Sequence, residues 1–319
     1  MADTIDIARL DEAGFDRLYK ERIEPGFVAH EPERLAAVTT FNNRVAATAP
    51  IVLIASIGSY FIWHEPIATF FIFVFFAVFA CAFAYSKLAG VGERVKLATL
   101  KSISAAIGVQ YSPDLVFDPP ALGRLQALKL IGGYDHSKFE DYFHGTYQDA
   151  SFDLYEANLE RETKDSKGNT SRSTVFRGQI IRLTFPRKFL GRTIVRRDAG
   201  IFNAFGGGEG LERVRLVDPK FEKIFEVFSS DQVEARYLVH PVLMERLMAL
   251  EESFRGDKIR CAFEWGDLLI AVEGGNLFEP GDLFKPLPDP ARARRIVDEI
   301  GKVMGVMDSV LSAQAKRPA

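Results

Sequence analysis

Two stretches of this chain carry no charge at all. Residues 45–63 and 67–85 each run for 19 residues without Asp, Glu, Lys or Arg. At about 1.5 Å of rise per residue, a helix of that length reaches roughly the 30 Å hydrocarbon thickness of a bilayer. Only His64-Glu65-Pro66 stands between them. The pattern therefore predicts a transmembrane hairpin of two helices joined by a tight turn. Pro66 suits the first turn of the second helix, where its missing N–H has no intrahelical partner, and Tyr60 and Trp63 fall at the depth of an aromatic belt. Small residues four apart, Ala55/Ser59 in the first span and Ala77/Cys81 or Ala80/Ala84 in the second, predict a close seam between the helices. Pro50 and Thr48 are tolerable in a span because neighbouring groups satisfy the freed backbone. A signal peptide would occupy the first residues and end at a cleavage site, unlike this stretch. A hairpin inside a soluble core would not call for two full-length uncharged helices.

The flanking patterns are different. Before the spans, Ile7, Phe15, Leu18, Tyr19 and Ile23 fall partly at helical spacing, in a segment expected to stay solvated or to pack on the rest of the protein. Glu31-Pro32-Glu33 reads as a helix start leading into the first span. After the second span, Leu88, Val91, Val95 and Ile103 keep near one face, so the helix is expected to continue as a stalk. A short helical run over 121–131 meets a stop at Gly132-Gly133. From about residue 143 the period changes to that of strands. Residues 151–161 and 174–185 flank a polar turn containing Gly168-Asn169, and 260–263 with 268–272 flank Trp265-Gly266-Asp267, which reads as two hairpins. Further strands are expected over 192–197, 214–217 and 224–228. Asp231 is placed to cap a helix over 233–239, Pro241 to open another, and Asp289-Pro290 to open the last. In that last helix Ile296, Ile300, Val303, Met304, Met307, Val310 and Leu311 share a face suited to a core. Strands followed by helices without βαβ alternation predict an α+β fold with a mainly antiparallel sheet and packed helices. The expected organisation is a helical segment over 1–44, the transmembrane hairpin over 45–85, a juxtamembrane stalk over 86–134 and a cytosolic α+β domain over 135–319.

Composition narrows the classes of function. The 319 residues carry 40 Lys+Arg against 43 Asp+Glu, a net charge of -3 that argues against nucleic acid as a main partner. Two cysteines, Cys81 and Cys261, form no CxxC pair. They suit a reducing compartment better than a structural disulfide. The distribution of positive charge sets orientation. Arg34 and Arg44 precede the first span, Lys87, Arg94, Lys96 and Lys101 follow the second, and the turn has neither Lys nor Arg, so both termini are expected on the cytoplasmic side.

Several runs resemble a known family. Asp141-Tyr-Phe-His-Gly145, Glu156-Ala-Asn-Leu159, Val175-Phe-Arg-Gly178, Phe185-Pro-Arg-Lys-Phe189 and Gly191-Arg-Thr193, behind two spans, are similar to the bacterial membrane proteins catalogued as domain of unknown function 3137. So are Phe225-Glu-Val227, Asp231, Glu234-Ala-Arg-Tyr-Leu238 and Pro241. The resemblance covers roughly residues 45–275. It implies a bacterial inner-membrane location and supplies no catalytic residues. It also implies a LemA-type membrane protein as a partner.

Among polar candidates, residues 170–197 stand out, with Arg172, Arg177, Arg182, Arg187, Lys188, Arg192, Arg196 and Arg197 and no acid. Near an anionic leaflet, basic residues gain about 1 kcal/mol each, so Arg177, Arg182, Arg187, Lys188 and Arg192 are the candidate surface for anionic lipid, phosphate or an acidic partner. The plainer reading, and the favoured one, is that strand arginines face water or pair with acids such as Asp153, Glu156 and Glu160. His136, Glu140 and His144 are four apart and could ligate a metal from one helix face, but glycines on both sides favour a loop-to-strand transition in which they diverge. Gly206-Gly207-Gly208-Glu209-Gly210 lacks the Lys-Ser/Thr of a phosphate loop and reads as a turn. Glu234 and Arg236, two apart on a helix, point in different directions. No nucleophile elbow, dinucleotide fingerprint or carboxylate dyad is recognisable, and no cofactor is implied. The expected role is a membrane-tethered cytosolic binding or scaffolding module. The competing expectation is an enzyme acting at the membrane on a lipid or phosphorylated substrate, with the same arginines clamping anionic groups.

Overall fold

The structure, a computed structural model, describes residues 7, 10–115, 118–166, 168–197, 210–253, 258–279 and 281–316. The chain divides into two compact units. One comprises residues 13–103 and 278–293, the other residues 104–277 with most of the last helix, from Arg294.

In the helical unit, α1 (Glu12–Leu18) and a π-helical turn (Tyr19–Ile23) lead into α2 (Glu24–Trp63), and α3 (Pro66–Ile107) returns. Phe15, Leu18, Tyr19, Ile23 and Phe27 are all buried, so the N-terminal segment packs rather than remaining solvated. α2 begins at Glu24, with Pro25 in its first turn, and Pro32 lies inside it. The start expected at Glu31-Pro32-Glu33 is therefore corrected. Glu31 and Arg34 have other work, because the Arg34 guanidinium donates to Glu31 and to the Leu283 carbonyl, and Glu31 accepts the Leu287 N–H at 2.9 Å. These contacts fasten the 281–289 segment onto α2. Between the helices, His64 adopts φ 54° and donates its N–H to the Tyr60 carbonyl, a left-handed C-cap that reverses the chain in two residues before Pro66 opens α3.

Both helices have 40 residues or more, about 60 Å of length, so each exceeds the bilayer thickness and runs well past it. Their apolar halves are bare. Ile54, Ile62, Phe71 and Phe79 are between 65% and 73% exposed, as are Ile51, Phe61, Ile67 and Phe75, whereas Val52, Ser56, Ser59 and Ala84 form the buried seam. Ala55, expected in that seam, is exposed, and Ser56 takes its place. The Ser56 and Ser59 hydroxyls donate to the Val52 and Ser56 carbonyls of their own helix, so neither leaves a polar atom in the contact unsatisfied. The side chain of Trp63 lies outside the described residues.

The second unit is an antiparallel sheet in the order β1-β2-β3-β4-β9-β8-β5-β7-β6. Its strands are β1 (Gln110–Asp114), β2 (His136–Tyr147), β3 (Ala150–Lys164), β4 (Thr170–Thr184), β5 (Thr193–Arg197), β6 (Glu212–Val214), β7 (Phe225–Ser229), β8 (Lys258–Glu264) and β9 (Asp267–Glu273). With α4 (Leu122–Ala127), α5 (Pro219–Ile224), α6 (Gln232–Leu238), α7 (Pro241–Ser253) and α8 (Pro290–Lys316), the fold is α+β. The two long hairpins form as their turn signals predict. The strand expected from about residue 143 begins at His136, and β1 precedes it at Gln110–Asp114, while Ile224 ends a helix rather than opening a strand. α4 is shorter than expected and stops at Leu128, where Lys129 turns to φ 56°, before the two glycines are reached.

One face of the sheet buries Tyr155, Leu159, Phe176, Ile180, Leu269 and Ala271 against Leu122 and Leu125 of α4. Val303, Val306, Met307 and Val310 of α8 are fully or almost fully buried, as its apolar stripe requires. Gly178 sits where β4 meets β9. Its φ is 153°, and a Cβ there would lie 2.0 Å from the Val272 carbonyl oxygen, so only glycine lets the strands approach.

Candidate interaction surface at the 185–192 loop

The arginines of residues 170–197 do not converge. Arg182 stands opposite Asp153 in the β3–β4 register and pairs with it at 2.7 Å, while Tyr142 donates to the same carboxylate at 2.6 Å. That hydrogen bond adds to burial in raising the Tyr142 pKa. Arg187 donates to the Gln314 carbonyl near the end of α8 at 2.6 Å, and Gln314 returns its amide to the Arg187 carbonyl. Arg192 pairs with Glu264 at 2.6 Å and Arg197 with Glu251 at 2.8 Å. Arg177 contacts Asn276 at 3.1 Å, Lys188 is exposed, and Arg196 lies over the Phe228 ring at 4.7 Å. Of the acids anticipated as partners, Asp153 serves. Glu156 is instead buried and accepts the Leu277 N–H at 2.7 Å.

What these pairs build is a fastened rim at one end of the sheet. Glu264 and Asp267 flank the two-residue turn between β8 and β9, and Arg124 of α4 reaches both. Thr184 donates to Asp267 at 2.6 Å. The loop before β5 is held from below by α6, which Asp231 caps by accepting the N–H groups of Val233 and Glu234. The buried Glu234 carboxylate then accepts the N–H groups of Leu190 and Gly191 at 2.7 and 2.8 Å. From the other side, the Phe189 N–H donates to the Trp265 carbonyl and the Phe185 N–H to that of Gly266. Segments that carry the family resemblance, Phe185–Phe189, Gly191–Thr193, Asp231 and Glu234, thus meet in one structure.

The rim exposes two large apolar side chains, Leu190 at 71% and Trp265 at 67%. Both line a 430 Å³ depression with Phe189, Arg192, Ser230 and Glu264. Trp265 also has φ 63°, a left-handed conformation rarely adopted by a bulky side chain and one that a turn ordinarily fills with glycine or asparagine. Strain of this sort persists only where neighbours over-determine it, and it concentrates at functional positions. The sequence marks Trp265-Gly266 as a turn and carries no sign that singles out Leu190. An aromatic in a glycine position was the available signal.

The other candidates separate. His136, Glu140 and His144 lie along β2, where His136 faces Glu162 at 3.0 Å, Glu140 pairs with Lys138 at 2.7 Å and His144 stacks on Tyr142. Among the described residues, no three of His, Cys, Asp and Glu gather as a metal site. Residues 206–209 lie outside the described residues. Glu234 is buried and Arg236 exposed, as their two-residue spacing requires.

No curated protein matches the chain. Among solved structures, the crystal structure of the mycobacterial trehalose monomycolate transport factor A, TtfA, is similar at 11% identity, over 63% of this chain and 92% of that one. Its TM-score is 0.35, too low for anything to rest on the likeness. Residues 174–311 match the model of a family described as Protein of unknown function (DUF3137), a segment that starts within β4 and extends into α8.

Proposed function

We propose that this protein is a membrane-tethered binding module. In this reading α2 and α3 cross a bacterial inner membrane as a hairpin, both termini are cytoplasmic, and the sheet unit offers its 185–192 rim to a membrane-protein partner. The observation that carries the tether is the bare apolar belt. Ile51, Ile54, Ile57, Phe61, Ile62, Ile67, Phe70, Phe71, Phe75 and Phe79 are all more than half exposed. A side chain of this size gains about 1.5–3 kcal/mol on leaving water, so the belt favours lipid by an amount on the order of tens of kcal/mol. The cations beside the spans and their absence from the turn support the orientation.

The rim supports the binding role because Trp and Arg anchor interfaces, and here Trp265 sits in the β8–β9 turn and Arg192 in the loop before β5, two segments whose backbones are hydrogen-bonded to each other and to Glu234, which lowers the entropy lost on docking. Of the five basic residues first singled out, Lys188 and Arg192 flank Leu190. Arg182 and Arg187 serve internal partners, and Arg177 lies at the Asn276 contact. Anionic lipid remains an alternative contact for the exposed ones, and a LemA-type protein is the first partner to test.

Two experiments decide. Alkaline phosphatase fused after Glu65 should be active and a fluorescent protein fused after Ala319 should glow; the reverse pattern overturns the orientation. Crosslinking in native membranes should recover a reproducible companion that is lost with Trp265→Ala. An unchanged companion profile rejects the rim.

A further inference from the structure

A second depression, which shares no lining residue with the first, is bounded by α6, α7 and the last turns of α8, with a volume of 520 Å³. Arg236, Arg246 and Lys316 line it, with His240, Ser312 and a single carboxylate, Asp308. Such a volume falls within the range of small-molecule sites.

The ordinary role for cations at a helix C-terminus is to meet its unpaired carbonyls and the negative end of its dipole. Here that role is largely filled by others. The Tyr237 hydroxyl donates to the Ala313 carbonyl at 2.5 Å and Arg187 to the Gln314 carbonyl at 2.6 Å. Among the described residues, Arg236 makes one hydrogen bond, to the Gln232 carbonyl of its own helix. Neither Arg236, Arg246 nor Lys316 has a carboxylate within ion-pair distance among the described residues, although the chain pairs most arginines of its sheet. Asp308 contacts Gln148 at 3.3 Å. The Arg246 guanidinium is laid across α8 at Gly305, where a Cβ would come within 3.1 Å of Nη1, so the bare backbone is what admits it to the depression.

We propose that this depression is a binding site for a phosphate group, carried by a small phosphorylated molecule or by a phospholipid head group. Three permanent cations on two sides of a concave surface supply charge-assisted hydrogen bonds to the phosphate oxygens, Arg236 and Arg246 through their forks and Lys316 as a point charge. The Ser312 hydroxyl adds a neutral donor. The site has no lining residue in common with the depression at the 185–192 rim and does not depend on that rim's role.

The test uses the full chain purified in uncharged detergent. Binding of sn-glycerol 3-phosphate is measured by calorimetry, and binding to phosphatidylglycerol-containing nanodiscs is compared with binding to phosphatidylcholine ones. Binding in the first arm assigns a soluble ligand, and binding in the second alone assigns a head group. In either arm, Arg236→Gln with Arg246→Gln should weaken binding by ~10-fold or more, since each removes a charge-assisted pair of hydrogen bonds. Arg177→Gln, elsewhere on the surface, should leave it unchanged. Gly305→Ala, which crowds Arg246 without removing a charge, should weaken binding while the double variant's melting temperature stays at that of wild type. Absence of binding in both arms, or equal binding by the double variant, overturns the proposal.

Discussion

Replacing Glu234 by alanine would release the rim. Its carboxylate is buried in α6 and accepts two backbone N–H groups from the loop that carries Leu190, at 2.7 and 2.8 Å. A hydrogen bond to a charged acceptor contributes about 1.5–3 kcal/mol when the partner is otherwise left unpaired. Leu190 is exposed, so water can meet part of the vacated demand, and the two bonds together come to about 3 kcal/mol. Glu234 also lies in the first turn of α6, where a negative charge gains up to about 1 kcal/mol from the helix dipole. A total of about 3–4 kcal/mol lowers the melting temperature of a unit this size by roughly 6–16 °C. Glu234→Gln keeps the shape and one acceptor oxygen and should cost about half as much. The assay is thermal unfolding of the detergent-solubilised chain followed by Trp265 fluorescence, in a Trp63→Phe background so that a single tryptophan reports. Val233→Ala, at a residue 80% exposed on the same helix, is the control. If Glu234→Ala melts within 1 °C of that control, the carboxylate does not hold the loop and the rim is not a fastened structure.

Three further outcomes are expected. Gly178→Ala forces a methyl group against the Val272 carbonyl and should destabilise the sheet by about 3 kcal/mol, at the upper end of ordinary overpacking, read as a lower midpoint in chemical denaturation. Burial pushes the Cys261 thiol up to about 12, so in the native protein at pH 8 it should resist a water-soluble maleimide and react only after denaturation; prompt labelling would contradict its place in the sheet. The Arg34 guanidinium holds the Glu31 carboxyl below the usual range against the opposing effect of burial, with the Leu287 N–H assisting. A lowered carboxylate pKa stabilises the folded state above the unfolded value, about 4.3, and that contribution is lost as pH falls through the lower folded value. Hydrogen exchange of the 283–287 amides should therefore accelerate on acidification below pH 4 in wild type, with no such step in Glu31→Gln.

Much of the architecture is legible because it is written locally. Two uncharged runs, the turns at Gly168-Asn169 and Trp265-Gly266, the cap at Asp231 and the proline at 290 each act over a few residues, and each marks an observed boundary. The misreadings come from longer range. β1 is an edge strand of five residues containing Pro113, and it exists because β2 pairs with it, so its own pattern announces nothing. Pro32 looks like a helix start because proline usually is one, but Glu31 and Arg34 are engaged with residues some 250 positions further along the chain. The same distance hid the fate of the arginines. Arg182 finds Asp153 on the neighbouring strand, as cross-strand logic anticipates, whereas Arg192 finds Glu264 and Arg187 finds Gln314, contacts that only the sheet order and α8 create.

Buried and half-buried acids in this chain serve backbone donors rather than one another. Glu31 holds Leu287, Glu156 holds Leu277, Glu234 holds Leu190 and Gly191, and Glu251 holds Ile259, each by accepting a backbone N–H from a segment outside its own element. A loop donor withdrawn from water needs an acceptor, and a carboxylate, with two oxygens and a charge, is the strongest one available. Ionisable residues at such positions are therefore selected by loops that must be fixed. Among the described residues, the groups that face outward are of the opposite kind: apolar side chains at Leu190 and Trp265, and cations without carboxylate partners at Arg236 and Arg246. That division is the one the proposed binding role requires, with these anionic groups holding backbone and the apolar and cationic ones facing outward.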